Sequence, residues 1–255
     1  MPYHDDELRL SELVGSLHTL LLSTDDLDTF LDGVATVAAK VVEPPASCGI
    51  TIRRNGAPAT AATSDPRAVQ VDQIQYDTGT GPSLEALTTG KPVEVTDQRL
   101  DDRWPAYAEG AVALGVRCSL SIPLAEDGDR TLGALNVYGY DRPREFGEDE
   151  RHRVEVFASQ AATAIRLAVQ RSAQQDVVRQ LEQALVSRSV IDQAIGVLMA
   201  QEQCSTDQAF DLLRKHSQNT NRKLREVAVD VITRLTGHPP ITPEPFRKPD
   251  KNGSS

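Results

Sequence analysis

No stretch of the 255-residue chain approaches the roughly 18 consecutive apolar residues of a membrane span, so a helical membrane protein is not expected. A basic, then apolar, leader is also missing. Residues 1–10 are acidic, with Asp5, Asp6 and Glu7, so no secretory signal is expected and the cytoplasm is the default location. Cysteine is scarce and follows no pairing pattern: Cys48, Cys118 and Cys204 make no CxxC and no metal-ligand spacing, which fits a reducing compartment. Each reads as a small buried hydrophobe. Redox sensing is the alternative, because Cys48 and Cys118 fall in expected strands that could approach one another.

Signatures of catalysis are equally sparse. There is no GxxxxGK[ST] phosphate loop, since GTGPS (79–83) has no lysine after it and reads as a turn before a helix. HExxH and GxSxG are absent, and His4, His18, His152, His216 and His238 form no metal-like group. Acidic pairs such as Asp101-Asp102 sit in expected loops as solvated turn residues. The expectation is a protein that is not an enzyme, without a metal, and with its cofactors, if it has any, unknown.

Positive charge is short overall but unevenly placed. The net charge is −10. Residues 187–236 hold seven Lys and Arg against six Asp and Glu, and residues 237–255 hold three against two, so the first 186 residues carry −12. An acidic N-terminal part joined to a locally basic C-terminal part implies two jobs.

What is present is periodicity. Residues 8–22 and 24–42 repeat apolar side chains at helical spacing, the second helix opening at Thr24-Asp25-Asp26 and stopping at Pro44-Pro45. Strands are predicted at 47–54 and 57–63, joined by Asn55-Gly56, and at 92–96, 117–124 and 131–140, the last two joined by EDGD (126–129). Residues 103–114 read as a helix ended by Gly115. From Asp149 a helix of up to about 35 residues is predicted, rich in small residues, broken by a polar patch at 171–176 and apolar again at Val177, Val178, Leu181 and Leu185. Such a stripe suits pairing with a second copy. Residues 187–236 then read as three short helices, the first opened by Ser187 or Ser189. The proline-rich tail, 237–255, reads as disordered.

The densest candidate site is a basic turn. Arg214-Lys215 closes one short helix and Arg222-Lys223-Leu224-Arg225 opens the next, with Ser217, Gln218 and Asn221 between. Cations position a phosphate backbone, and Asn, Gln and Ser can contact base edges. A charged turn that is merely solvated is the competing interpretation. No aromatic residue is interleaved, which argues against a single-strand stacking platform.

The run SRSVIDQAIGVLMA (187–200) with STDQAFDLLRKHSQNTNRKLREVA (205–228) resembles the ANTAR family of antiterminator domains. The family's signature elements fall on Arg188, Ile191, Ala194, Gly196, Leu198 and Met199, then on Ala209, Phe210, Leu213 and Arg214, then on Ser217, Asn221, Lys223 and Leu224. Ile195 stands where many members have lysine. The resemblance implies a dimer-competent three-helix domain that binds paired short stem-loops in nascent transcripts. It assigns RNA contact to Arg188, Arg214, Ser217, Asn221 and Lys223; Lys215 is added on charge. Ala194, Gly196, Leu198, Met199, Phe210 and Leu213 are expected to build the helical core.

The N-terminal part, through QYDTGTGPSLEAL (75–87), PVEVTDQRLDDRWPAYAEGA (92–111), GVRCSLSIPL (115–124) and LGALNVYG (132–139), resembles a GAF domain, of the kind found directly before ANTAR domains in actinobacterial regulators. The implied fold class is α+β: an antiparallel sheet flanked by helices, then a long connecting helix and an all-α three-helix domain. The expected boundaries are 8–170 for the sensor, 171–187 for a helical linker, 188–236 for the RNA-binding domain and 237–255 for the tail. The implied small-molecule pocket is assigned to Tyr76, Leu84, Trp104, Tyr107, Cys118 and Ser121, each of which also fits plain core packing. The Asn-Lys and Phe-x3-Asp-Glu elements of cyclic-nucleotide-binding members are not matched, because Val137 follows Asn136 and two residues separate Phe146 from Asp149. An RNA-binding antitermination regulator, a homodimer with RNA and a small ligand as partners, is the expectation. The alternatives are a redox- or ligand-sensing regulator acting through protein–protein or DNA contacts.

Overall fold

A computed structural model of the chain describes residues 3–42, 46–54, 57–125 and 131–241. The expected turns at Asn55-Gly56 and 126–129, and the tail beyond residue 241, lie outside the described residues. The described chain divides into two compact units, Met1–Ser172 and Ala173–Ser255.

The first unit begins with helices α1 (Tyr3–Ser23) and α2 (Leu27–Ala38), followed by strands β1 (Ser47–Arg54) and β2 (Ala57–Thr63). Helices α3 (Pro66–Thr78) and α4 (Pro82–Thr89), strand β3 (Val93–Val95) and helix α5 (Pro105–Ala113) come next. Strands β4 (Cys118–Ala125) and β5 (Thr131–Gly139) complete a five-stranded antiparallel sheet of order β2-β1-β5-β4-β3. The register sets Ser121 opposite Asn136 and Ser119 opposite Tyr138 on β4 and β5, and Gly49 of β1 opposite Asn136.

Strand alternation then sorts the side chains onto two covered faces. Ile50, Cys118, Leu120, Leu135 and Val137 face α1, α2 and the start of helix α6 (Glu148–Glu202), where Leu17, Phe30, Val34, Phe157 and Ala161 close an apolar core. Small residues along α6, Ala158, Ala161 and Ala162, let that helix lie close to the sheet. Ala134 and Tyr138 face α3, α4 and α5 in a second core with Val71, Ala86 and Tyr107. The polar patch at 171–176 has a local use: the Arg171 guanidinium pairs with Asp25 and donates to the Leu21 carbonyl (3.0 Å).

Two expectations are corrected. Helix α3 was not anticipated, although Asp65 caps it and Pro66 fills its first turn. Its buried positions are Ala68, Val71, Asp72 and Gln75, so half its inward stripe is polar and the hydrophobic period is hidden. No break falls at Ser187 or Ser189 either: α6 runs on to Glu202. Nothing between 176 and 200 stops a helix, since the stretch has no proline and its one glycine, Gly196, lies in open space.

In the second unit, the end of α6 packs with α7 (Thr206–Thr220) and α8 (Leu224–Thr236) around Val190, Ala194, Ile195, Ala209, Leu213, Val227 and Ile232. Ser205 and Gln208 form a reciprocal capping box at the start of α7. Ile195 is thus a core residue. Phe210 and Gly196, expected inside, are exposed. Ile241 is held to α6 by two hydrogen bonds with the Gln193 amide, at 2.6 and 3.0 Å. Among the described residues no helix is long and apolar enough to cross a membrane.

Candidate functional sites

On the α3–α5 face of the sheet the fold buries a hydrogen-bonded polar network, the polar chamber. Asp72, fully buried on α3, accepts hydrogen bonds from Tyr138 Oη (2.5 Å), Asn136 Nδ2 (3.1 Å) and Thr60 Oγ1 (3.0 Å). Tyr76 Oη lies 2.9 Å from Thr51 Oγ1 and 3.0 Å from Thr60 Oγ1, and Ser83 Oγ donates to Thr51 (3.1 Å). These contacts fix the proton order while Asp72 is ionised. Thr60 has one proton and gives it to Asp72, so Tyr76 donates to Thr60, Thr51 donates to Tyr76, and Ser83 donates to Thr51. Gln75 adds a clamp: its Nε2 donates to Tyr138 (3.0 Å) and its Oε1 accepts from the Ser83 amide (2.8 Å).

The glycine-rich turn before α4 exists for that clamp. Gly81 has φ +148°, and a Cβ there would sit 2.4 Å from Gln75 Oε1. Burial pushes the Asp72 carboxyl up to about 6, against the opposing hydrogen bonds from Tyr138, Thr60 and Asn136. Burial, reinforced by the Asp72 charge, likewise pushes the Tyr76 phenol up to about 12. Two polar atoms of the chamber, Asn136 Oδ1 and Ser121 Oγ, are sealed from solvent and have no hydrogen-bond partner among the described residues. Both amide atoms of buried Gln98 are in the same condition. Orphaned buried groups are costly and call for a partner such as a ligand or water.

Of the residues assigned to the pocket, Tyr76, Tyr107 and Ser121 lie on this face, and Trp104 packs at its edge with Arg103 over its ring (4.4 Å). Leu84 is partly buried on α4. Cys118 points the other way, into the core shared with α2 and α6. The residues that build the chamber's network, Thr51, Thr60, Asp72, Gln75, Ser83, Asn136 and Tyr138, were missed. Their polar character in half-buried elements reads from sequence as turn or surface. The one usable signal was the small-polar alternation Ser119-x-Ser121 and Asn136-x-Tyr138 against apolar neighbours.

The second site is the α7–α8 turn. Asn221 ends α7 in the left-handed conformation (φ 51°), which asparagine tolerates, and Ser217 Oγ donates to the Arg222 carbonyl (2.6 Å). Both residues therefore shape the turn. Cations there divide into paired and unpaired. Arg222 binds Asp230 (2.6 Å) and Glu226 (3.6 Å), and Arg214 binds Asp211 on its own helix (2.9 Å). Arg188 stands exposed on α6, 3.8 Å from Asp192. Lys215, Lys223 and Arg225 are exposed and have no ion-pair partner among the described residues. Lys223 is also the N-cap of α8 and offers no side-chain cap, so that helix starts uncapped beside two free cations.

Comparison with known proteins agrees with this division. The GAF domain family model matches residues 24–166 and the ANTAR domain family model matches residues 179–232. Among solved structures, the chain is similar to the GAF domain of a phosphoenolpyruvate-protein phosphotransferase from Coxiella burnetii, at 19% identity and TM-score 0.49 over 65% of this chain and 98% of that one. The corresponding Acinetobacter GAF domain gives 16% identity and TM-score 0.47 over 62% and 94%. A free methionine-R-sulfoxide reductase from Neisseria meningitidis gives 16% and 0.48 over 65% and 91%. Likenesses this distant transfer no ligand and no reaction. No curated protein matches the chain.

Proposed function

Because the chain belongs to the GAF domain family and carries an ANTAR domain behind that domain, we propose that it is an RNA-binding transcription antitermination regulator whose N-terminal unit senses a small molecule. The observation that carries the proposal is the α7–α8 turn inside the ANTAR match, where Lys215, Lys223 and Arg225 are unpaired beside the uncapped start of α8. Phosphate is the natural partner for free cations beside an uncapped helix start. Paired short stem-loops in a nascent transcript are the target class, and Arg188 and Arg214 reach RNA by exchanging their aspartate partners for phosphate.

Two copies act together. From Ala173 to Leu185 helix α6 is largely solvent-facing, yet it carries Val177, Val178, Leu181 and Leu185, each more than half exposed. A stripe at 3–4 spacing on a helix surface suits the seam of a two-stranded coiled coil, and a homodimer would present two RNA-binding units to two loops. The protein works in the cytoplasm and is a regulator, with no reaction of its own.

The test is titration of a labelled RNA carrying two adjacent stem-loops, at several salt concentrations, beside scrambled-loop RNA and duplex DNA. Loop-dependent, salt-sensitive binding that drops in Lys223→Ala supports the assignment. Equal affinity for the duplex DNA would move the protein to the DNA-binding alternative.

A further inference from the structure

A groove on the opposite side of the sheet from the polar chamber lies between α2, β1, β5 and the first half of α6, and encloses about 470 Å³. Leu31 and Ile165, both buried, form its floor, and the half-buried Ile52 and Leu132 form its walls. Arg53 and Arg166, both exposed, stand at its mouth, and no carboxylate lines it.

We propose that this groove binds a free amphiphilic carboxylate, its alkyl chain on the Leu31–Ile165 floor and its head group between Arg53 and Arg166. Three observations support that chemistry. First, the void has the volume of a small-molecule site, and an alkyl chain of about ten carbons suits it. Ile52 and Leu132 gain by being covered, at about 25 cal/mol for each Å² of apolar surface removed from water. Second, the two guanidiniums are uncommitted. Arg67, Arg99, Arg103, Arg144, Arg151 and Arg171 are each held by an Asp or Glu, whereas Arg53 and Arg166, like Arg117 and Arg142, have no ion-pair partner among the described residues, and only Arg53 and Arg166 stand together over an apolar groove. Third, the first 186 residues carry −12, so a mouth with two cations and no acid is a local reversal of sign. That reversal selects an anion over a cation or a neutral lipid. The acidic surroundings also disfavour a bilayer as the source of the ligand, since an anionic membrane would meet net repulsion.

The proposal stands apart from RNA binding and can fail without it. Calorimetric titration of the full chain with sodium decanoate, below its micelle concentration, should show one saturable site per chain. Arg53→Gln with Arg166→Gln should raise the Kd about tenfold or more, since two charge-assisted contacts are lost. Both side chains are exposed, so the double variant should keep the wild-type melting temperature, and decylamine, with the same tail and a cationic head, should not bind. Absent saturation, equal affinity in the double variant, or equal binding of decylamine overturns the assignment. So does affinity seen only with anionic phosphatidylglycerol vesicles, which would make the ligand a lipid surface. A dimer that covers the groove would also appear as absent saturation.

Discussion

Gly49 and Asp72 share one volume: a Cβ on Gly49 would lie 2.5 Å from Asp72 Oδ2. The bare backbone of β1 is what allows a carboxylate on α3 to reach the sheet and meet Asn136 and Tyr138. Gly49→Ala should therefore push α3 outward or break the Asp72 contacts. The expected loss is about 1–3 kcal/mol of stability, checked by urea unfolding. An alanine variant as stable as wild type would mean that the chamber is loose enough to absorb a methyl group.

The same carboxyl sets a pH dependence. Its pKa rises from 3.8 to about 6 in the folded protein, burial being the larger cause. Between about pH 4 and pH 6 the folded state keeps a proton that the unfolded chain has released, so stability falls as pH rises through that window and levels off above it. The fall should amount to at most about 3 kcal/mol. Asp72→Asn should abolish it, at a cost: an amide must donate to Thr60, which reverses the hydroxyl order through Tyr76 and Thr51. An unchanged slope of urea midpoint against pH in the asparagine variant would assign the titration to another group.

How much of this was legible in the sequence depends on whether the buried stripe was apolar. The sheet and its order of elements could be read because Ile50, Leu120, Leu135 and Val137 alternate with small or polar residues, which is the period-two signal of a strand. Helix α3 could not, because Asp72 and Gln75 occupy positions where the helical pattern expects Leu or Val. Their burial depends on partners far away in sequence, Asn136 and Tyr138, and local propensity has no access to that. Likewise the basic turn was visible as composition, while the division into paired Arg222 and unpaired Lys223 rests on Asp230, about two helical turns further along the chain. Phe210 was misplaced for a simpler reason. Ala209 and Leu213 already fill the inward face of α7, which leaves the larger Phe210 side chain at its rim.

That division predicts a graded response at the turn. Lys223→Ala and Arg225→Ala should each weaken RNA binding and lower the salt slope by about one, the signature of a lost phosphate contact. Arg222→Ala should affect affinity less, since its guanidinium is committed to Asp230 and Glu226. Filter binding at four salt concentrations separates the cases. Equal slopes for Arg222→Ala and Lys223→Ala would show that the ion pair opens on binding.

Association of two chains should depend on the exposed stripe of α6. Val178→Lys with Leu181→Lys places like charges in a seam that the native residues would cover, so the dimer dissociation constant should rise by at least about a hundredfold, each buried side chain contributing roughly 1.5–3 kcal/mol. Sedimentation equilibrium measures it directly. A lysine variant that remains fully dimeric would move the interface elsewhere.

The three thiols should behave unequally, and oxidation should not switch the protein. Cys48 sits opposite Val137 and Cys118 opposite Gly139, so β5 runs between them. Two strand spacings put their Cα atoms about 10 Å apart across the sheet, before the two-residue offset along β5 is added. A disulfide needs less than about 7 Å, so joining them would require unzipping the middle of the sheet. Their chemistry agrees with their position. Burial pushes the Cys48 thiol far above its usual value, with Asp65 and Asp72 adding to the shift. Burial also raises Cys118, which the nearby Arg144 only partly offsets. Thiolate, the reactive form, is therefore suppressed at both. Cys204, half-buried in the second unit, is the accessible one. Titration with a chromogenic disulfide reagent in native buffer should give one fast thiol, with the other two appearing only on unfolding. Cys204→Ser should remove the fast phase. Peroxide should leave RNA affinity and sedimentation unchanged, whereas a Cys48–Cys118 crosslink found by mass spectrometry after mild oxidation would reinstate redox control.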